Sequence, residues 1–454
     1  MPILRRFASA LAALAALALA AQPAAAQSIL RDAETEALLN DMAAPLIAAA
    51  GLEPRNVDIV LVNDGSINAF VAGGQAIYIH SGLINAAASA NEVQGVIAHE
   101  LGHITGGHVI RSDEGYKAAT GISLLSLLLG AAAMAAGAGD AGMGIMMAGQ
   151  QAALGKYLAF SRTQESSADA AGAQYLSKAG ISGKGSVEFF KKLQNLEYRH
   201  GYRRDADSEF YSTHPMTADR IQTLQDTYEQ DPAWTRAGDA GIELRFERAK
   251  AKLYGYLAEP QQTLIAYPPT LTGVPARYAR AYAFHKEAFV DKAMAETDAL
   301  LLAAPNDPYF LELKGQILLE SGKPAEALGP LRRASEASGQ APLIATTLGH
   351  ALIATEDKAN FKEAEGVLKA AVARDRDNPF AWYQLGVVYA ANGDLARAKL
   401  ASAEQQAMSL QMFDALRNAA AAEAELPRGS ADWIRAQDIA MHARAEIERA
   451  KKRR

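Results

Sequence analysis

The sequence predicts an α+β chain, mainly helical, with a small β-sheet in its first half and an all-α superhelix of repeats in its second. Three observations carry that prediction. "NVDIVLVND" (56–64) alternates apolar and polar residues and is rich in β-branched side chains, and "NAFVAGGQAIYIHSGLI" (68–84) reads as two strands around a Gly73-Gly74 turn. The stretches 28–50, 89–111 and 157–200 are helical in pattern. Gly315, Gly349 and Gly386 recur after 34 and then 37 residues, and Pro308, Pro342 and Pro379 keep the same spacing.

From the N-terminus, residues 1–26 combine Arg5-Arg6, an uncharged Ala/Leu run, Pro23 and the small-residue pattern Ala24-Ala25-Ala26. This is the pattern of a secretory signal cleaved after Ala26, and with the Ala-rich composition it points to a bacterial periplasm. Its removal takes two arginines from the 45 basic residues and nothing from the 51 acidic ones, so the net charge moves from −6 to −8. Such an acidic chain has no basic footprint for nucleic acid. Without cysteine it has no thiolate nucleophile and nothing to mispair in an oxidising compartment.

Residues 28–50 place Leu38, Leu39, Met42, Leu46 and Ile47 on one helical face. After the strands, Ser89 stands three residues before Glu92, a capping box, and Val93, Val96, Ile97, Leu101 and Ile104 form the buried stripe of the helix it opens. Gly106 and Gly107 weaken that helix near its end. Residues 118–155 carry one charge, Asp140. They read as a helical hairpin that makes peripheral contact with a membrane or a substrate, and Ala118–Gly139 is just long enough to cross a bilayer. The helical stretch 157–200 runs into a polar loop, and Pro215 sits just inside the start of the helix that follows. "QDPAWTRAGDA" (230–240) resembles a linker. Beyond it, Trp382-x2-Leu385-Gly386-x2-Tyr389 with Ala398 is the clearest copy of the tetratricopeptide pattern, paired antiparallel helices whose small residue permits close approach. The three extra residues between Gly349 and Gly386 lengthen a turn around Asp357–Asn360. Stacked pairs form a concave face that holds peptides or a partner protein. The expected organisation is a signal at 1–26, a first domain at 27–230, a linker at 231–240 and a repeat domain at 241–450.

The chemistry concentrates in "AHELGHITGGHV" (98–109). His99 and His103 are four residues apart, so on a helix their rings lie about 40° apart on one face, one turn apart in height. Both can reach one ion at the zinc–nitrogen distance of about 2.0–2.1 Å. Glu100, offset by about 100°, sits beside such a metal without ligating it, where it can take a proton from water that the metal has acidified. His108 would be rotated about 140° from His103 if the helix continued, and it reads as non-ligating. The better third ligand lies in "SRTQESSADAAGAQYL" (161–176), where Glu165 and Asp169 share a helical face. Glu165 is then the third ligand, and Asp169 supports His99 or His103 from behind. His214, held before Pro215 in a polar loop, is expected to approach the metal, either to stabilise an oxyanion or to fill the open position and restrain activity. His80, His200, His285, His350 and His442 lack a partner motif and read as ordinary polar or packing residues. The Lys451-Lys452-Arg453-Arg454 tail reads as solvated.

Together, His99-Glu100-Leu101-Gly102-His103, Ser161-Arg162-x2-Glu165-x3-Asp169, Asn68-Ala69-Phe70 and the Gly82-Leu83 turn resemble the gluzincin zinc metallopeptidase family that contains the CAAX prenyl protease, HtpX and the mitochondrial Oma-type proteases. The resemblance covers about residues 30–230. With a signal and C-terminal tetratricopeptide repeats, the architecture is similar to periplasmic BepA-type proteins, which assist outer-membrane protein assembly. It implies a zincin-type metallopeptidase domain, one Zn²⁺ on His99, His103 and Glu165, Glu100 as general base, and a substrate cleft lined by Asn68, Ala69 and Phe70. An extended peptide would add to that strand edge by backbone hydrogen bonds. The function expected is a zinc-dependent endopeptidase acting on unfolded or misassembled envelope proteins. One rival is a chaperone or scaffold whose hydrolysis is slow or dispensable. Another is an integral membrane protease built around Ala118–Gly139.

Overall fold

The computed structural model describes residues 28–135, 138–200, 214 and 217–452. The signal expected at 1–26, Pro215 and the last two arginines lie outside the described residues.

The first half contains β1 (Ser28–Ile29), α1 (Ala33–Ala49), β2 (Asp58–Asn63), β3 (Ala69–Ala72), β4 (Ala76–His80), α2 (Ser81–Ala86), α3 (Ala90–Thr105), α4 (His108–Ala135), α5 (Gly139–Ala179), α6 (Lys184–His200) and α7 (Ala218–Glu229). The sheet order is β1-β2-β4-β3. β2 runs parallel to β4 from Asp58 opposite Ala76 to Val62 opposite His80, and β3 folds back on β4 antiparallel. Gly73 and Gly74 close that hairpin at φ of 62° and 103°, the left-handed region that only glycine enters without strain. β3 pairs with β4 alone, so its outer edge carries no strand among the described residues.

α1 starts later than its periodicity predicts, because Ser28 and Ile29 pair with β2 and Asp32 caps the helix through the Thr35 N–H. The Ser89 hydroxyl accepts from the Glu92 N–H of α3, as a capping box requires, but the Glu92 carboxylate reaches the Ala88 N–H at 2.8 Å instead of the Ser89 N–H. The core joins α1, the sheet, α3, α5 and α6 through Leu38, Met42, Ile77, Ile79, Val93, Ile97, Leu101, Leu176, Phe189 and Phe190. At the crossing of α3 and α5 the backbones nearly touch. A Cβ on Gly102 would stand 2.5 Å from the Ala168 carbonyl oxygen, and one on Gly172 would stand 3.0 Å from that of Ala98. This glycine-mediated approach brings the histidines of α3 to the carboxylates of α5.

α5 is one continuous helix of 41 residues, ended by Gly180 at φ 68°. Its N-terminal part pairs with α4 as the expected hairpin, and its C-terminal part carries Glu165 and Asp169.

The second half is all helical: α8 (Ala240–Leu257), α9 (Pro260–Ala266), α10 (Val274–Lys286), α11 (Val290–Ala303), α12 (Pro308–Glu320), α13 (Pro324–Ala337), α14 (Pro342–Ala354), α15 (Phe361–Arg374), α16 (Pro379–Ala391), α17 (Leu395–Met408), α18 (Met412–Glu425) and α19 (Ala431–Lys452). The repeated prolines occupy the first helical position of α12, α14 and α16, where no N–H is lost from the ladder. Gly315 faces Leu331 and Gly349 faces Leu368 across helix pairs, each at a distance that leaves no room for a Cβ. The extra residues before α15 form a short 3₁₀ turn at Lys358–Asn360. The repeats dock on the start of α1. Arg248 binds both Glu34 and Asp307, Lys252 binds Asp32, the Tyr278 hydroxyl donates to Glu34 at 2.8 Å, and Arg31 meets Asp375 at 3.0 Å.

Candidate metal centre

α3 presents His99, Glu100 and His103 from its buried face, α5 presents Glu165 and Asp169, and His214 arrives just before α7. His99, His103, Glu165 and His214 are all buried, and each offers one ligand atom within 4.8 Å of the others. His99 Nε2 lies 3.1 Å from His103 Nε2 and 3.3 Å from His214 Nδ1. Glu165 lies 3.0 Å from His214 Nδ1, 3.3 Å from His103 Nε2 and 3.5 Å from His99 Nε2. Ligands held about 2.0–2.1 Å from a tetrahedral zinc sit about 3.3 Å from each other. The spacing and the N₃O donor set therefore fit one such ion.

The ligand-type cluster is larger than the sequence reading assumed. His214, left open there between two roles, has its Nδ1 among the three other donors. His108 does not join them. α3 ends at Gly106, and Gly107 turns the chain at φ 63° before α4 begins, so the assumed helical continuation to His108 does not exist. His108 Nδ1 meets His103 Nδ1 at 2.9 Å, and its Nε2 meets the Ser167 hydroxyl at 2.9 Å. Asp169 serves the other histidine, 2.9 Å from His99 Nδ1. Each ligand-type imidazole of α3 is thus oriented through its far nitrogen.

Glu100 is fully buried beside the cluster and outside it, with Oε1 3.8 Å from His214 Nε2. Burial raises its carboxyl above the ordinary range. Burial also opposes charge on Glu165, but the three surrounding histidines outweigh it and hold that carboxyl far below its usual value. His103 is pushed down to about 3 by burial and by its charged neighbour His99. Burial works against charge on His99 too, yet Asp169 and Glu165 raise it to about 10. Metal ligation requires an ionised carboxylate and neutral imidazoles, so an ion entering this group must displace the proton that Asp169 and Glu165 favour on His99.

Sequence reasoning missed Arg220. Its guanidinium grips Asp169 through two N–H donors, one of them at 2.8 Å, and approaches Glu165 at 2.9 Å from the first turn of α7. Asn68 and Ala69 lie with β3 against α3, but both side chains are buried, and Phe70 stacks on Tyr78 with ring centroids 5.0 Å apart. What this strand offers outward is its backbone edge.

Residues 30–228 match the profile of peptidase family M48. They are an M48 peptidase domain. The beta-barrel assembly-enhancing protease of Escherichia coli K12 is 23% identical over 405 residues, which is 87% of this chain and 80% of that one. Its Vibrio cholerae namesake is 26% identical over 290 residues, and this chain spans only 59% of that relative's length. Metalloprotease LoiP of E. coli is 32% identical over 182 residues, 39% of this chain and 65% of LoiP. The match makes residues 30–228 a metallopeptidase domain, and its buried group could hold one metal ion. The M48 match ends at Glu229's neighbour Tyr228, the last buried aromatic of α7, before the repeats begin.

Proposed function

We propose that the chain is a periplasmic zinc endopeptidase that hydrolyses unfolded or misassembled envelope proteins, outer-membrane β-barrel proteins foremost. The observation that carries this is the buried cluster of His99, His103, Glu165 and His214 with Glu100 beside it. The names of the E. coli and Vibrio relatives favour a role in β-barrel assembly. The expected signal at 1–26 favours the periplasm, and the concave repeat domain at 241–450 favours docking of a client or assembly partner.

In this reading His99, His103 and Glu165 hold the zinc, Asp169 fixes the ring of His99 and His108 that of His103. Zinc supplies Lewis acidity, acidifying water and polarising a carbonyl. Glu100 takes the proton from water and delivers it to the leaving amine. Its buried setting raises its basicity toward that task. The free edge of β3 at Asn68–Phe70 holds an extended substrate by its backbone, so selectivity rests on an available strand more than on a side-chain code. His214 takes the position that water needs, and it must swing away before turnover. This favours restraint over oxyanion stabilisation for that residue.

The test compares zinc content and casein cleavage of the parent, Glu100→Gln and His214→Ala. Glu100→Gln should keep zinc and lose cleavage by about 10²–10⁴-fold. His214→Ala should keep zinc on three ligands and cleave faster; a slower enzyme would restore the oxyanion role, and an unchanged rate would end both. If Glu100→Gln repairs an envelope defect as well as the parent does, the chaperone or scaffold reading replaces the peptidase one.

A further inference from the structure

The α4/α5 hairpin projects from the metal centre with an exposure that packing within this chain does not explain. Leu124, Leu125, Leu127, Leu128 and Leu129 of α4 are all exposed, Leu128 at 70%. At about 100° per residue these five positions span roughly 200° of the helix, and the remaining side, with Ser126 and Gly130, faces α5. Met143, Met147 and Leu154 continue the exposed apolar surface on α5. α4 is long and apolar enough to cross a membrane, and little of it is buried. The whole side that α5 leaves open is thus apolar, wider than the roughly 100° stripe with which an amphipathic helix meets a single packing partner, and a surface of that breadth suits an apolar medium.

The hairpin's dimensions and ends identify the medium. The two arms meet through small residues: a Cβ on Gly130 would stand 2.6 Å from the Gly142 carbonyl oxygen, and Gly149 abuts Ser126. Carried back to the base, that register sets Tyr116 and Lys117 of α4 level with Tyr157 and Lys156 of α5, and all four are exposed. Beyond them, residues 118–135 form an uncharged arm of about 27 Å at about 1.5 Å per residue, close to the roughly 30 Å of a bilayer's hydrocarbon core. The one charge between Lys117 and Lys156 is Asp140, exposed at the far end. Tyrosines and lysines at one boundary, an apolar length matched to lipid and a charge only at the tip are the order of a membrane-inserted element.

We propose that this hairpin inserts into a lipid bilayer, with Tyr116, Lys117, Lys156 and Tyr157 at the headgroup boundary. The sequence reading of peripheral contact through 118–155 becomes penetration. Nine residues separate Lys117 from His108 and Lys156 from Glu165, so insertion holds the metal centre roughly 14 Å above the lipid surface. The enzyme would then meet clients that lie at that surface. Insertion does not depend on the peptidase reading, and its test uses no activity.

The chain's lack of cysteine makes the test direct. The mature chain carrying Glu100→Gln receives Leu128→Cys, labelled with bimane, and is mixed with phosphatidylethanolamine/phosphatidylglycerol vesicles. A second sample carries the label at Leu302→Cys, 85% exposed on the repeat domain. The Leu128 probe should shift to the blue and be quenched by lipids bearing a nitroxide on the acyl chain, while the Leu302 probe stays unchanged. Leu125→Asp with Leu128→Asp should reduce vesicle flotation by about a hundredfold or more per substitution, with zinc content retained as proof of folding. An unquenched Leu128 probe overturns the proposal. So does an Asp variant that floats like its parent, or a blue shift that is complete without vesicles and accompanies a dimer, since a second copy would then be the occupant.

Discussion

Replacing Arg220 by methionine removes the only cation that the described residues of α7 send into the metal centre. The guanidinium is 9% exposed and contacts Asp169 and Glu165, two carboxylates that are themselves buried. Breaking a buried ion pair from one side costs about 3–5 kcal/mol, because the partner charge stays behind without compensation. In a domain of this size each kcal/mol moves the unfolding midpoint by about 2–4 °C, so the metal-free variant should melt roughly 6–20 °C below its parent. Zinc brings two positive charges against the same Glu165 and replaces part of what the arginine supplied. The deficit should therefore shrink when the metal is present, and zinc should stabilise the variant more than it stabilises the parent. The assay is thermal unfolding followed by circular dichroism, in chelator and in excess zinc, with Arg220→Lys alongside. Lysine keeps the charge without the two-pronged grip on Asp169 and should fall between the two. A metal-free Arg220→Met protein that melts with its parent, or a deficit unchanged by zinc, would refute the electrostatic account of this residue.

Asp169→Asn should weaken zinc binding by about 10–100-fold, read by competition with a chromophoric chelator, because the ring of His99 loses its ionised partner. Gly315→Ala should destabilise the repeat domain by about 1–3 kcal/mol in urea unfolding, since its Cβ would meet Leu331 at 2.4 Å, whereas Gly386→Ala, with its nearest neighbour at 3.4 Å, should cost little. Glu312, pushed up to about 7 by burial and by Asp32 and Glu34 against the opposing pull of Lys252, binds a proton more tightly folded than unfolded. The contribution of Glu312 to stability is then fully present below about pH 4.5, is lost as the pH rises toward 7 and stays lost above it, so Glu312→Gln should gain up to about 2 kcal/mol at pH 8 and almost nothing at pH 4.

Much of the centre was legible because its spacings are local. The four-residue interval of His99 and His103, and that of Glu165 and Asp169, fixes a shared face as soon as each segment is helical. What the spacings left open was decided by tertiary contact. Whether Asp169 serves His99 or His103 depends on how α3 crosses α5, and that crossing is set by Gly102 and Gly172, two glycines that carry no chemistry in the sequence. Arg220 lies 51 residues from its partner Asp169 and belongs to no ligand pattern. His108 lies past the turn at Gly107, where extrapolating the helix from His103 no longer gives its direction.

α5 runs unbroken from Gly139 to Ala179, and that continuity bears on function. Composition separates the segment into an uncharged part before Gly155 and a polar part after Lys156, which invites a break that the backbone does not make. Because one helix carries both the exposed apolar arm and Glu165, a force or tilt applied to the hairpin acts on the α3–α5 crossing directly, with no loop to absorb it. That crossing has backbone packed on backbone at Gly102 and Gly172, so it cannot slide without separating Glu165 and Asp169 from His99 and His103. The softer response is at the third approach, where His214 enters the cluster from just before α7 and is tied to α5 by Arg220's grip on Asp169. If lipid insertion tilts α5, the contact that gives first is therefore that of His214 with Glu165, and zinc-loaded protein should cleave casein faster on vesicles than in buffer. Vesicles should leave His214→Ala unaffected, because the contact they loosen is already gone; equal stimulation of both proteins would separate the hairpin from the control of the site.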